Sequence, residues 1–233
     1  MSIPWFGYPA FGTGVLGTET SGYPDVSTVY TLAGVFLGQV HQVLWDNAPG
    51  AKIYGGSPNG HYVVTEYQPD ATIAFSYGNE FIRDFGGSAT ITGSSPYGGE
   101  GGYDRYVVIN ATTLNLGSGI NHVFLGGSRN TINMSDSGGV DHVRGAIHGS
   151  ETFTVGSAGG FLTVRGFTLT NGDVLDLSRM SVNDSDVHLS TQGSGRYANT
   201  VLTINGPSGG AHVTLLHTGP ITLSQLEQHS LIL

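Results

Sequence analysis

Thr113-Leu114-Asn115, His122-Val123-Phe124, Thr131-Ile132-Asn133, His142-Val143-Arg144 and Thr152-Phe153-Thr154 are apolar-centred triplets set between turns of Gly, Ser, Asn and Asp. The same beat runs upstream through Val43-Leu44-Trp45, Lys52-Ile53-Tyr54, Tyr62-Val63-Val64, Thr72-Ile73-Ala74, Glu80-Phe81-Ile82, Thr90-Ile91-Thr92 and Tyr106-Val107-Val108, and downstream to Leu162-Thr163-Val164. Its period is nine to eleven residues through most of the chain, with one wider gap at 93–105. The intervening residues tolerate positive φ and close tight turns. A strand this short cannot bury its apolar face alone, but stacked on copies of itself it can. The pattern therefore predicts an all-β chain, a parallel β-solenoid or β-roll. Two beats per turn give coils of about 18 to 21 residues, a narrow two-sheet roll. His41 and His61, like His122 and His142, fall where neighbouring coils stack.

Outside the beat the chain changes character. Residues 1–42 read as an N-terminal arm and cap, with Trp5, Phe6, Tyr8 and Phe11 supplying aromatic area that needs a surface to dock on. Residues 28–45 suit either a helix or short strands. The solenoid is expected over 43–178. From 179 to 233 the pattern predicts a C-terminal antiparallel β cap plus a short helix. Val187-His188-Leu189, Val201-Leu202-Thr203-Ile204 and Val213-Thr214-Leu215-Leu216 supply its strands, a helical turn follows at Thr222–Glu227, and Leu231, Ile232 and Leu233 form an apolar tail.

Composition narrows the functional classes. Charged residues make up 11 % of the 233, and Gly accounts for 38. Seventeen acids against eight bases give a formal charge of −9. A nucleic-acid or anionic-membrane surface needs clustered Lys and Arg, and no cluster is expected here, so neither nucleic acid nor membrane insertion is expected. The chain has no cysteine, which removes disulfides and thiol chemistry. Residues 1–18 hold no base and are broken by Pro and Gly, unlike a cleavable secretion leader.

The turns carry a degenerate nonapeptide. Gly102-Tyr103-Asp104-Arg105-Tyr106 and Gly139-Val140-Asp141-His142-Val143 keep a Gly-x-Asp-x-apolar core, while Gly119-Ile120-Asn121-His122-Val123 has Asn for Asp. Downstream, Phe167-Thr168-Leu169-Thr170-Asn171-Gly172-Asp173-Val174-Leu175-Asp176-Leu177-Ser178 ends the beat. Over about residues 102–233 the chain resembles repeats-in-toxin (RTX) β-roll proteins, whose rolls commonly close on Gly-Asp-x-Leu-Asp-Leu-Ser. The resemblance implies a bacterial, extracellular or cell-surface protein, exported by the type I secretion machinery through an uncleaved C-terminal signal. It also implies calcium as a cofactor, with Asp104, Asn121, Asp141 and Asp173 as the ligands this chain offers. The chain departs from the family in having no complete Gly-Gly-x-Gly-x-Asp repeat.

Other chemistry finds little support. His122 and His142 alternate outward as a stacked pair with no third metal ligand beside them. Thr131 and Thr152 suggest a short outward threonine ladder, too short for an ice-binding face. Asp70, Glu80, Arg83 and Asp84 form the nearest acid-base cluster and read as exposed strand positions. Gly206-Pro207-Ser208-Gly209-Gly210 fits Gly-x-Ser-x-Gly, but it lies between two strands with no helix behind the serine. No catalytic constellation emerges, and a non-enzyme is expected. The leading expectation is a secreted structural protein that self-assembles into a homo-oligomer or polymer, a fibre, layer or matrix. Its contacts would be Trp5, Phe6, Tyr8, Phe11, Leu231, Ile232 and Leu233. The alternative is a polysaccharide-binding or adhesin-type β-roll module, with Tyr54, Tyr62, Tyr67, Tyr77, Tyr97, Tyr103 and Tyr106 as candidate stacking residues for an extracellular polysaccharide.

Overall fold

The computed structural model describes residues 28–29, 40–46, 50, 52–55, 60–67, 69–75, 79–93, 103–145, 149–229 and 231–233. The arm residues Trp5, Phe6, Tyr8 and Phe11, most of the 93–105 gap and residues 30–39 lie outside them. Long and short strands alternate along the chain. The short ones are β1 (Thr28–Val29), β3 (Lys52–Gly55), β5 (Thr72–Phe75), β7 (Thr90–Thr92), β9 (Thr113–Asn115), β11 (Thr131–Asn133), β13 (Thr152–Thr154) and β15 (Val174–Asp176). The long ones are β2 (Val40–Asp46), β4 (Gly60–Glu66), β6 (Asn79–Asp84), β8 (Tyr103–Ile109), β10 (Ile120–Gly126), β12 (Val140–Arg144) and β14 (Gly160–Arg165). Each strand pairs in parallel with the strand two places on, giving one sheet of short strands and one of long strands. This is the expected two-sheet parallel β-solenoid.

The core follows from strand alternation. A three-residue strand can aim only its middle residue inward. Those middle residues are Ile73, Ile91, Leu114, Ile132, Phe153 and Leu175, all at most 1 % exposed. They face Val64, Ile82, Tyr106, Val123, Val143 and Val164 from the long strands, at most 3 % exposed. Register stacks like on like, as in Ile132↔Phe153 and Val123↔Val143. Burying each such side chain is worth about 1.5–3 kcal/mol, and no coil collects that gain without its neighbours.

Turn chemistry fixes where the coils close. Gly159 has φ +78°, and a Cβ there would run into the carbonyl oxygen of Gly210 on the next coil. The closing motif also has a physical explanation. Thr168 caps a short 3-10 turn (Leu169–Asn171), accepting the Asn171 N–H, and Gly172 ends it at φ 79°. Asp173 then turns inward, accepting the N–H groups of Glu151 at 2.9 Å and Thr168 at 2.7 Å.

The C-terminal region holds β16 (Val187–Gln192), β17 (Asn199–Gly206), β18 (Gly209–Leu216), α1 (Leu223–His229) and β19 (Leu231–Ile232). The expected antiparallel cap is present in part, because β16, β17 and β18 pair antiparallel. However, β18 joins β14 in parallel and β19 joins β15 in parallel, so these two strands add a further coil. That pairing is possible because Val213 and Leu215 fall in register with Leu162 and Val164 and continue the buried rows. Helix α1 starts on a capping box. Thr222 Oγ accepts the Gln225 N–H at 3.3 Å, and Gln225 Oε1 accepts the Thr222 N–H at 2.9 Å.

Candidate functional site

Alternation sorts the long strands by charge. In β6, β8, β10 and β12 the residues Glu80, Asp104, Asn121 and Asp141 occupy one inward rank, strand against strand, and are at most 2 % exposed. One residue further along, the outward rank reads Phe81, Arg105, His122, His142 and Thr163. The next outward rank reads Arg83, Val107, Phe124, Arg144 and Arg165. Four of the chain's eight bases thus stand on one face, and no outward position of β6, β8, β10, β12 or β14 holds a carboxylate. Expecting no cluster of bases was wrong in space. The arginines are distant in sequence and become neighbours only through coil stacking.

This face is both cationic and apolar. Arg83 lies over the Phe81 ring at 4.2 Å, and Arg105 approaches the same ring at 5.6 Å. His122 and His142 lie side by side with ring centroids 5.0 Å apart and planes tilted by 32°, as their outward alternation predicts. Partial burial lowers the His122 pKa first, and the nearby His142 and Arg105 lower it further. Phe161, 56 % exposed, stacks on the His212 ring at 5.4 Å. Ile120 and Phe124 are exposed on the same face, two strands away from Phe161. Arg179 pairs with Asp136 at 3.7 Å, whereas none of Arg83, Arg105, Arg144 and Arg165 pairs with a described carboxylate.

The interior holds what the sequence offered as calcium ligands. Asp104, Asn121 and Asp141 share one rank, but Asp173 stands on the short-strand side, in a second ladder with Thr112, Asn130 and Glu151. In that ladder each side-chain oxygen accepts the main-chain N–H of the coil before: Asn130 from Thr112, Glu151 from Asn130 and Asp173 from Glu151. Asp104 similarly accepts the Glu80 N–H at 2.9 Å. Asn121 turns its amide nitrogen to Asp141 at 2.7 Å and to the Gly117 carbonyl at 2.9 Å. Calcium takes six to eight oxygens. These four residues are split between two corners and so do not form one such shell. Asp104 and Asp173 accept backbone amides, whereas Asn121 Oδ1 and Asp141 Oδ2 are buried without a hydrogen-bond partner among the described residues. Among the described residues, no three His, Asp or Glu side chains are placed to hold a metal ion together. Burial raises the pKa of Asp84, Glu151 and Asp173, and pushes Asp141 up to about 7.

Other candidates separate cleanly. Glu80 and Asp84 are buried rather than exposed, with Asp84 accepting the Thr112 hydroxyl at 2.6 Å. Asp70 is exposed in a turn, and Arg83 faces the opposite side of its strand. Tyr106 is fully buried with its hydroxyl against Gly93, so it cannot stack on a sugar, while Tyr67 is exposed and packs on Phe85. The side chains of Tyr54, Tyr62, Tyr77, Tyr97 and Tyr103 lie outside the described residues. Ser208 sits in the tight turn between β17 and β18, away from any helix start. The threonine ladder is longer than expected. Thr72, Thr90, Thr113, Thr131 and Thr152 align in register on the outer side of the short-strand sheet.

No family model, curated protein or solved structure matches the chain. Function must therefore be argued from the faces themselves. Among the described residues no helix is long and apolar enough to cross a membrane.

Proposed function

We propose that the chain is a polysaccharide-binding, adhesin-type β-solenoid module whose working surface is the outer face of the long-strand sheet. One observation carries this reading: Ile120, Phe124 and Phe161 are 43 %, 39 % and 56 % exposed on a regular parallel sheet, with a tilted histidine pair between them. Large exposed rings are costly in water and suit a partner that offers apolar ring faces and hydroxyls together, as sugars do. A solenoid presents such groups once per coil, about 4.8 Å apart, and so matches an extended polymer rather than a compact ligand. Export by the type I route, which the RTX-like segment at 167–178 implies, would deliver that surface to extracellular polysaccharide. Affinity electrophoresis through gels containing polysaccharide tests the reading. The native chain is retarded, and Phe161→Ala with Phe124→Ala weakens retardation by about tenfold, equivalent to about 1.4 kcal/mol. Retardation unchanged by the double substitution removes this face from binding.

Self-assembly remains the second reading, favoured by Ile232 and Leu233, which are 47 % and 38 % exposed at the end of the short-strand sheet. There β19 is an edge strand, open on the side away from β15. The long-strand sheet ends instead on β16, whose Ser190, Thr191 and Gln192 are polar and exposed and offer little to an apolar end-to-end contact. Sedimentation across a concentration series tests this reading. A chain that stays monomeric, or an Ile232→Ser variant that assembles undiminished, would exclude it.

A further inference from the structure

Resting on that reading of the face, we infer that the polymer it takes is a linear acidic polysaccharide, its carboxylates seated along the ranks of Arg105, Arg144 and Arg165. The argument starts from what the arrangement costs. Arg144 and Arg165 are register partners on adjacent parallel strands, about 4.8 Å apart along the hydrogen-bonding direction. Like charges directly opposite one another destabilise a sheet. Beside them, Arg105 stands in register with His122 and His142, and after burial and His142 its charge helps hold the His122 pKa below its ordinary value. The sheet could have offset either rank with an outward acid. Instead Glu80, Asp104 and Asp141 all point into the core, where burying a carboxyl is itself costly. The acids and arginines of these strands are therefore separated across the sheet at a cost on both sides, and the arginines are left for an external anion.

Three further features select the class of anion. The chain as a whole is acidic, at −9, so its long-range field repels every polyanion, the most densely charged most strongly, and only a ligand that engages this face at close range gains from it. That disfavours nucleic acid, whose binding depends on broad basic surfaces and dense phosphate contacts. The arginines lie among Phe124, Phe161 and Ile120, so a suitable ligand alternates charge with flat apolar surface. A polyuronate does this, with a carboxylate beside each sugar ring. Finally, the guanidiniums of Arg83 and Arg105 converge on Phe81. The ring holds them in place, and an Arg oriented in that way can receive a planar carboxylate through two hydrogen bonds.

The test uses polygalacturonate and hyaluronate, each against its methyl-esterified form, which keeps the backbone and removes the charge. Binding of the full chain is measured by calorimetry at about 50 and about 200 mM salt, with single-stranded DNA of equal charge as a third probe. The expected result is tighter binding of at least one free acid than of its ester by about tenfold or more, with the difference shrinking at high salt. Arg144→Gln with Arg165→Gln should reduce that difference by at least half on a logarithmic scale while leaving the thermal midpoint unchanged or raised, since it relieves a like-charge pair; an undiminished difference overturns the role of these arginines. Equal, salt-independent binding of acid and ester overturns the acidic ligand but leaves a polysaccharide face. Tighter binding of the DNA overturns the inference in favour of nucleic acid. Binding of none of these polymers overturns both the inference and the reading beneath it.

Discussion

Replacing Asp141 with Asn should make this protein more stable at pH 8 and leave it nearly unchanged at pH 4. Asp141 is 1 % exposed and its carboxyl is pushed up to about 7 by burial, against an ordinary 3.8. A carboxyl with a raised folded pKa favours the fold below its unfolded pKa, and that contribution is lost as pH rises toward the folded value. The window is therefore about pH 4 to pH 7. A difference of roughly three pKa units is worth about 4 kcal/mol, or about 8–16 °C in the midpoint of a chain this size. Asparagine keeps an acceptor for the Asn121 amide, which now donates to Asp141 at 2.7 Å, but it has no charge to lose. Thermal unfolding followed by circular dichroism at pH 4, 6 and 8 is the assay. The native midpoint should fall across the series, and the variant should fall by several degrees less. A residual slope is expected from Asp84, Glu151 and Asp173, which burial shifts in the same direction. Two parallel profiles, or a variant weaker than the native chain at pH 8, would refute the reasoning.

Asp173→Ala removes the acceptor for two main-chain amides, those of Glu151 and Thr168, and should cost about 2–4 kcal/mol, read as a fall in midpoint of roughly 4–16 °C. Asp173→Asn, which keeps one carbonyl oxygen, should lose less. Thr222→Ala breaks the capping box of α1 and should cost about 1 kcal/mol, visible as a drop of about 2–4 °C, provided α1 and the β18–β19 coil unfold with the rest.

The rows of the core were legible because they obey a local rule. In Thr131-Ile132-Asn133 or Thr152-Phe153-Thr154 only one residue is apolar, and alternation leaves it no direction but inward. The end of the beat at 167–178 was legible only as a resemblance; the Thr168 cap, and Asp173 as an acceptor of main-chain amides rather than the expected calcium ligand, came from the structure. Charge sorting was not legible. Arg144 and Arg165 carry no signal in any short window, and their adjacency exists only once coil length fixes register. The rejoining of β18 to β14 and β19 to β15 escaped for the same reason. Alternating strands after residue 179 look antiparallel locally, and what makes two of them parallel is a long-range match with Leu162, Val164 and Leu175.

Asn121 shows how the same residue changes meaning between the two levels. Along the chain it stands where the Gly-x-Asp-x-apolar cores at 102–106 and 139–143 carry an aspartate. In the fold it stands between Asp104 and Asp141 in a dry rank. An aspartate there would put four carboxyls, from Glu80 to Asp141, in consecutive coils, with no side-chain amide among them and a large cost for ionising any one. An amide is nearly the same shape and supplies what the rank lacks. Its nitrogen donates to Asp141 and to the Gly117 carbonyl, linking two coils and one turn. The departure from the repeat at this position is thus what lets a stack of acids sit in the core, and burying those acids is what leaves the outer face of the sheet to its arginines.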